Sequence, residues 1–125
     1  MCKILIIDDN KNNMDLMREI VQRFGYYSLS AINGQDALIK IKQEQPDLII
    51  TDILMPNLNG FEFLERLKSD IRFKDIPIII VSCLSDKKDV ERCYNLGADL
   101  YITRPFKVVD FQVKVNKLIK EKICY

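Results

Sequence analysis

Leu48-Ile49-Ile50-Thr51-Asp52-Ile53-Leu54-Met55-Pro56 is the stretch that decides the fold. Its first half is a short, continuous apolar run of the kind that forms a strand buried on both faces. The run ends on one carboxylate, Asp52, and a proline-containing turn to Gly60 follows. A strand covered above and below calls for helices on both sides of its sheet. Asp52 then sits where the strand leaves the sheet. Taken alone, it either caps the turn or points into a crevice formed with neighbouring strands.

Working outward, three further strands end in the same abrupt way. Lys3-Ile4-Leu5-Ile6-Ile7 stops at Asp8-Asp9-Asn10, the run from Ile76 to Val81 stops at Ser82, and Leu100-Tyr101-Ile102-Thr103 stops at Arg104-Pro105. The segment from Tyr26 to Ala31 is more polar and suits a sheet edge. Between these lie helical stripes. Met14, Met17, Val21 and Phe24 recur at three- and four-residue spacing before Gly25, a C-terminal cap. Ala37, Leu38 and Ile41 follow Asn33-Gly34, and Phe61, Phe63, Leu64 and Leu67 form a third stripe. Val90, Cys93 and Tyr94 lie between Ser85-Asp86 and Gly97, and Val108, Phe111, Val115, Leu118 and Ile119 face inward on a last helix. Five strands alternating with five helices predict a doubly wound (βα)5 α/β fold: a five-stranded parallel sheet in the order 2-1-3-4-5, helices on both faces. Without a linker, repeat or low-complexity tract, residues 1–125 read as a single domain.

Composition narrows the chemistry. Nineteen basic and eighteen acidic side chains leave a formal charge of +1, so no global charge draws the chain to nucleic acid or an anionic membrane. Its apolar runs fall far short of the roughly 20 residues of a membrane span, and the first residues begin a strand rather than a signal peptide. There is no histidine, which excludes a Ser-His or Cys-His pair and a zinc set built on histidine. The cysteines Cys2, Cys83, Cys93 and Cys124 form no C-x-x-C and read as reduced thiols of a cytoplasmic protein. No P-loop and no G-x-G-x-x-G is present, and Asp52-Ile53-Leu54 lacks the second acid of an Asp-x-Asp phosphatase motif.

In a sheet of this order the site lies beyond the carboxyl ends of the strands, where the order reverses. The first strand presents Asp8 and Asp9 there, the third Asp52, the fourth Ser82 and the fifth Arg104. Three carboxylates brought together repel, and either take up protons or demand a cation. An incomplete set of oxygen donors suits Mg²⁺. With the metal in place, Asp52 is a nucleophile toward phosphorus, while Ser82 and Arg104 contact oxygens of the transferring group.

Ile6-Ile7-Asp8-Asp9-Asn10, Asp52-Ile53-Leu54-Met55-Pro56 with Gly60, Ser82, Gly97-Ala98-Asp99 and Tyr101-Ile102-Thr103-Arg104-Pro105-Phe106 together resemble a response-regulator receiver domain of two-component signalling. The resemblance runs over essentially the whole chain, and Asp-Asp-Asn with Asn13-Met14 is similar to single-domain cell-cycle regulators and to receivers of diguanylate cyclases. It implies that Asp52 accepts a phosphoryl group from a phosphohistidine on a sensor histidine kinase or histidine phosphotransfer protein. Asp8, Asp9, Asp52 and the backbone carbonyl of Leu54 are expected to hold Mg²⁺. Ser82 is expected to swing toward the phosphoryl group and Tyr101 to turn inward behind it. That movement would remodel the face of the fourth helix, fifth strand and fifth helix, which serves a downstream protein, an attached output domain or a second copy. The peptide before Pro105 is expected to be cis.

One residue departs from the family pattern, which has lysine at position 104. Arg104 keeps the charge but offers a planar fork in place of a compact ammonium. It either clamps the phosphoryl group or locks onto Asp8, Asp9 or Asp52 at rest. Two functions therefore compete: a phosphorylation-controlled switch that catalyses only its own phosphorylation and dephosphorylation, and a pseudo-receiver interaction module uncoupled from phosphate. Leu54 and Leu84, each two residues past a site residue, cannot orient an attacking water, and predict slow self-dephosphorylation.

Overall fold

The computed structural model describes residues 2–55 and 59–123. Pro56 with most of its turn, and Cys124, lie outside the described residues. Strands β1 (Lys3–Ile7), β2 (Tyr27–Ala31), β3 (Leu48–Thr51), β4 (Ile78–Ser82) and β5 (Leu100–Thr103) alternate with helices α1 (Lys11–Arg23), α2 (Gly34–Glu44), α3 (Gly60–Lys68), α4 (Lys87–Asn95) and α5 (Val108–Lys122). The sheet is parallel throughout, in the order β2-β1-β3-β4-β5. Pairing of Ile7 with Thr51, Thr51 with Ile80 and Ser82 with Thr103 brings the carboxyl ends of the four site strands to one rim.

Side chains alternate across the pleat and sort into two apolar layers. Leu5, Ile7, Ile49, Ile78 and Ile80 pack with Phe63, Leu64 and Leu67 of α3, and with Ala37, Ile41 and Cys93 of α2 and α4. Ile4, Ile6, Leu48, Ile50, Ile79 and Val81 pack with Met17 and Val21 of α1 and with Phe111 and Val115 of α5. Central strands buried on both faces explain their unbroken apolar runs, and Ser28 and Ser30 mark β2 as an edge.

The starts of α1 to α4 show why the chain turns where it does, whereas α5 begins after Lys107, which makes no side-chain cap. Asn10, Asn33, Asn59 and Asp86 accept from the backbone N–H of Asn13, Asp36, Glu62 and Lys88, at 3.0, 2.8, 2.9 and 3.0 Å. Such caps satisfy donors that a first helical turn leaves unpaired. Gly60 is required by space. A Cβ there would lie 2.5 Å from the Ile53 Cα, and the Gly60 N–H donates to the Ile53 carbonyl at 2.8 Å. The start of α3 is thereby pressed against the segment leaving Asp52.

Three expectations shift. β4 begins at Ile78 because Ile76 belongs to the preceding turn, its N–H donating to the Phe73 carbonyl. Val108, expected inward, is exposed because it opens α5 at the rim, one turn before the helix reaches the core at Phe111. Ile20, outside the expected stripe, is buried.

Candidate functional site

Two carboxylates are prepared in the same way at the rim. Asp8 follows β1, and its own N–H donates to the Ala31 carbonyl at 3.1 Å, which fixes the exit of the strand. One of its oxygens, Oδ1, accepts from the Asn10 N–H at 2.9 Å. Asp52 follows β3, and its Oδ1 accepts from the Leu54 N–H at 3.0 Å. Each acid thus has one oxygen held by the backbone two residues on, a local turn that Asp favours. The other oxygen of each faces Arg104. Nη2 lies 3.3 Å from Asp8 Oδ2 and Nη1 lies 3.5 Å from Asp52 Oδ2. The three side chains are only 5% (Asp8), 12% (Asp52) and 17% (Arg104) exposed, so this bridge is largely withdrawn from water and weakly screened.

Arg104 is delivered there by its backbone. Its N–H donates to the Ser82 carbonyl at 2.9 Å, continuing the ladder of β4 and β5, and the Arg104–Pro105 peptide is cis. Ser82 is fully buried, and its Oγ accepts from the Leu84 N–H at 3.2 Å. Tyr101 lies inward and buried, with its hydroxyl donating to the Leu84 carbonyl at 2.6 Å. Burial pushes the Tyr101 phenol above its ordinary pKa, and a hydrogen bond with the Ser82 side chain opposes that shift. Leu84 is therefore engaged through both faces of its backbone, by Ser82 on one side and Tyr101 on the other.

Asp8, Asp52, Ser82, Tyr101 and Arg104 are brought together, while Asp9 is exposed in the loop beyond Asp8. The donor set suits a hard divalent ion, since Asp8 and Asp52 offer only carboxylate oxygens. Among the described residues, however, no three acidic, cysteine or histidine side chains are gathered closely enough to hold a metal ion. Arg104 supplies the positive charge between buried Asp8 and half-buried Asp52. The donor set fits Mg²⁺ in its chemistry, with the Arg104 guanidinium lying between the two carboxylates that would hold it.

Beside the bridge runs an apolar groove of about 430 Å³, lined by Leu16, Met17 and Ile20 of α1, by Cys83, and by Pro105, Phe106 and Val108, with Arg104 at its edge. Neither the groove nor the capping role of Asn10 is evident from strand-end residues alone. The exposed Leu16 at an otherwise polar helix position was the available signal. Among the described cysteines Cys2, Cys83 and Cys93 are free thiols, and burial pushes Cys2 and Cys93 up to about 11.

A doubly wound α/β domain with its polar groups collected at the carboxyl ends of four strands is the class these features define. The family described as response regulator receiver domain matches residues 4–116. The chain is 36% identical over 108 residues to the polar-differentiation response regulator DivK of Brucella anthropi, covering 86% of this chain and 88% of that protein. It is 31% identical over 118 residues to a probable transcriptional regulator, ycf27, of Guillardia theta, where it spans 94% of its own length but 45% of the relative's. Among solved structures, a signal receiver domain of a signal transduction histidine kinase from Syntrophus aciditrophicus superposes with a TM-score of 0.91 at 33% identity, covering 100% of this chain and 95% of that one. The chain belongs to the response regulator receiver domain family. Such receivers are phosphorylation-controlled signalling modules of two-component systems rather than enzymes on separate substrates. They interact with histidine kinases or phosphotransfer proteins and with downstream targets, and generally bind Mg²⁺ at the phosphorylation site. Among the described residues, no helix is long and apolar enough to cross a membrane.

Proposed function

We propose that Asp52 accepts a phosphoryl group from a phosphohistidine on a sensor histidine kinase or histidine phosphotransfer protein, making residues 1–125 a single cytoplasmic receiver. The observation that carries this reading is the convergence of Asp8 and Asp52 on one cation at the rim where the strand order reverses. The Leu54 N–H holds one Asp52 oxygen and thereby orients the other into the crevice. A nucleophile held in this way reacts with little further loss of orientational freedom. As the bond from Asp52 Oδ2 to phosphorus forms, the phosphorus–nitrogen bond to the donor imidazole breaks. The bonding pair leaves with that nitrogen, and the ring departs neutral with its proton on the other nitrogen. Asp8, Asp9, Asp52 and the Leu54 carbonyl would hold Mg²⁺, which when bound neutralises charge on the phosphoryl oxygens. The Ser82 hydroxyl and the Arg104 guanidinium would donate to those oxygens. Withdrawal of Ser82 from Leu84 would then reach Tyr101 and the face made by α4, β5 and α5, offered to a downstream protein, an output domain or a second copy.

A second reading draws on the same bridge. Arg104 pairs with both acids at once and occupies the space between them, as an uncoupled pseudo-receiver requires. Incubation with Mg²⁺ and a small phosphodonor, followed by intact-mass measurement, separates the two. A mass increase abolished by Asp52→Asn supports the switch. No increase in the native chain with recovery in Arg104→Lys supports the uncoupled module. Failure of both proteins to take up phosphate overturns phosphate acceptance by Asp52.

A further inference from the structure

We infer that Tyr94 is a positioning residue of the switch: its hydroxyl ties the last turn of α4 to the backbone of Tyr101, so that α4 follows Tyr101. This rests on the reading of Ser82 and Tyr101 as the relay from the phosphorylation site. Among the described residues β5 is an edge strand, paired only with β4. Arg104 turns its N–H toward β4, donating to Ser82, and alternation along a strand turns the Tyr101 N–H outward, where no strand can accept it. Tyr94 supplies the acceptor, its Oη lying 2.9 Å from that nitrogen. The Tyr101 hydroxyl meanwhile donates to the Leu84 carbonyl, in the segment between β4 and α4. Residue 101 is thus fastened by its side chain to the segment that enters α4 and by its backbone to the turn that leaves it.

The two fastenings form a chain of contacts with a defined start. Ser82 Oγ holds the Leu84 N–H, Leu84 holds the Tyr101 hydroxyl, and the Tyr101 N–H holds Tyr94. A pull on the Ser82 hydroxyl moves the Leu84 peptide, and the Tyr101 side chain moves with it. Tyr94 is exposed and so contributes little to the packing of α4 on the sheet, which Cys93 and Val90 provide; its part in the relay is the hydrogen bond to the Tyr101 backbone. With it, α4 is carried along at both ends.

Tyr94→Phe keeps the ring and removes the acceptor. Amide exchange of the Tyr101 N–H, read by nuclear magnetic resonance, should quicken about three- to tenfold, as loss of one modest hydrogen bond requires. A merely structural tyrosine would not also change the relay, so Ser82→Ala is compared in both backgrounds. Amide shifts in residues 87–95 should respond to Ser82→Ala when Tyr94 is present and lose most of that response in Tyr94→Phe. Unchanged Tyr101 exchange, or an undiminished α4 response, overturns the inference. Neither readout needs phosphate. Intact-mass measurement of both proteins after exposure to the phosphodonor therefore tests acceptance by Asp52 separately.

Discussion

Arg104→Lys changes the shape of the cation while keeping its charge, and so isolates what the bridge costs a divalent ion. The guanidinium spans Asp8 and Asp52 at 3.3 and 3.5 Å, and the compact lysine ammonium cannot reproduce that planar span. At these separations and an effective dielectric of about 20, each pair carries a gross attraction on the order of 5 kcal/mol. Desolvation of the buried partners offsets most of it, which leaves on the order of 1–2 kcal/mol for the contact that lysine gives up. An ion that must break the bridge to reach Asp8 and Asp52 is opposed by that amount. Arg104→Lys should therefore bind Mg²⁺ about tenfold more tightly than the native chain. The assay is a Mg²⁺ titration followed through the backbone amides of Asn10 and Leu54, whose N–H groups donate to the two acids. Equal affinities in the two proteins would refute the reasoning, for they would show that Mg²⁺ and the guanidinium do not compete.

Gly60→Ala should destabilise the fold by roughly 1–3 kcal/mol in urea unfolding, because its Cβ would press on the Ile53 Cα, which belongs to backbone that cannot swing aside. Phe63→Ala, deleting a fully buried ring beneath β3 and β4, should cost about 3–5 kcal/mol in the same experiment. Stability should fall as pH rises from 9 toward about 11: the unfolded chain releases the Cys93 proton near 9.0, whereas burial keeps the folded thiol protonated to about 11. Cys93→Ala should flatten that slope in unfolding curves taken across the same range. Once phosphorylated, the chain should lose phosphate slowly, since Leu54 and Leu84 offer no group to orient water; an intact-mass time course showing a half-life of seconds would contradict this.

The strands were legible because burial on both faces forces unbroken apolar runs, and the residues at their ends could be read as one rim once the strand order was inferred. Asp8, Asp52, Ser82 and Arg104 were found in this way, and all four meet. The sequence left open whether Arg104 faces phosphate or acid, because the answer depends on side-chain reach across three strands. Val108 misled because helical spacing carries no sign of where a helix leaves the core. Tyr94 and Tyr101 are seven residues apart, and their contact exists only because β5 lies at the sheet edge. No periodicity within α4 could announce it.

The two apolar layers have a consequence for how such a chain can diverge. Tyr101 packs into the layer shared with α2, α3 and α4, whereas its neighbour Ile102 packs into the layer shared with α1 and α5. The groove beside Arg104 opens among α1 and the start of α5, on the side opposite α4. Substitutions that reshape one side meet the other only through the sheet and its rim. A lineage carrying this chain could therefore reshape the groove on the α1 side while its α4 side keeps its shape. The residues under joint constraint would be those few at the strand ends, where both sides touch the same atoms.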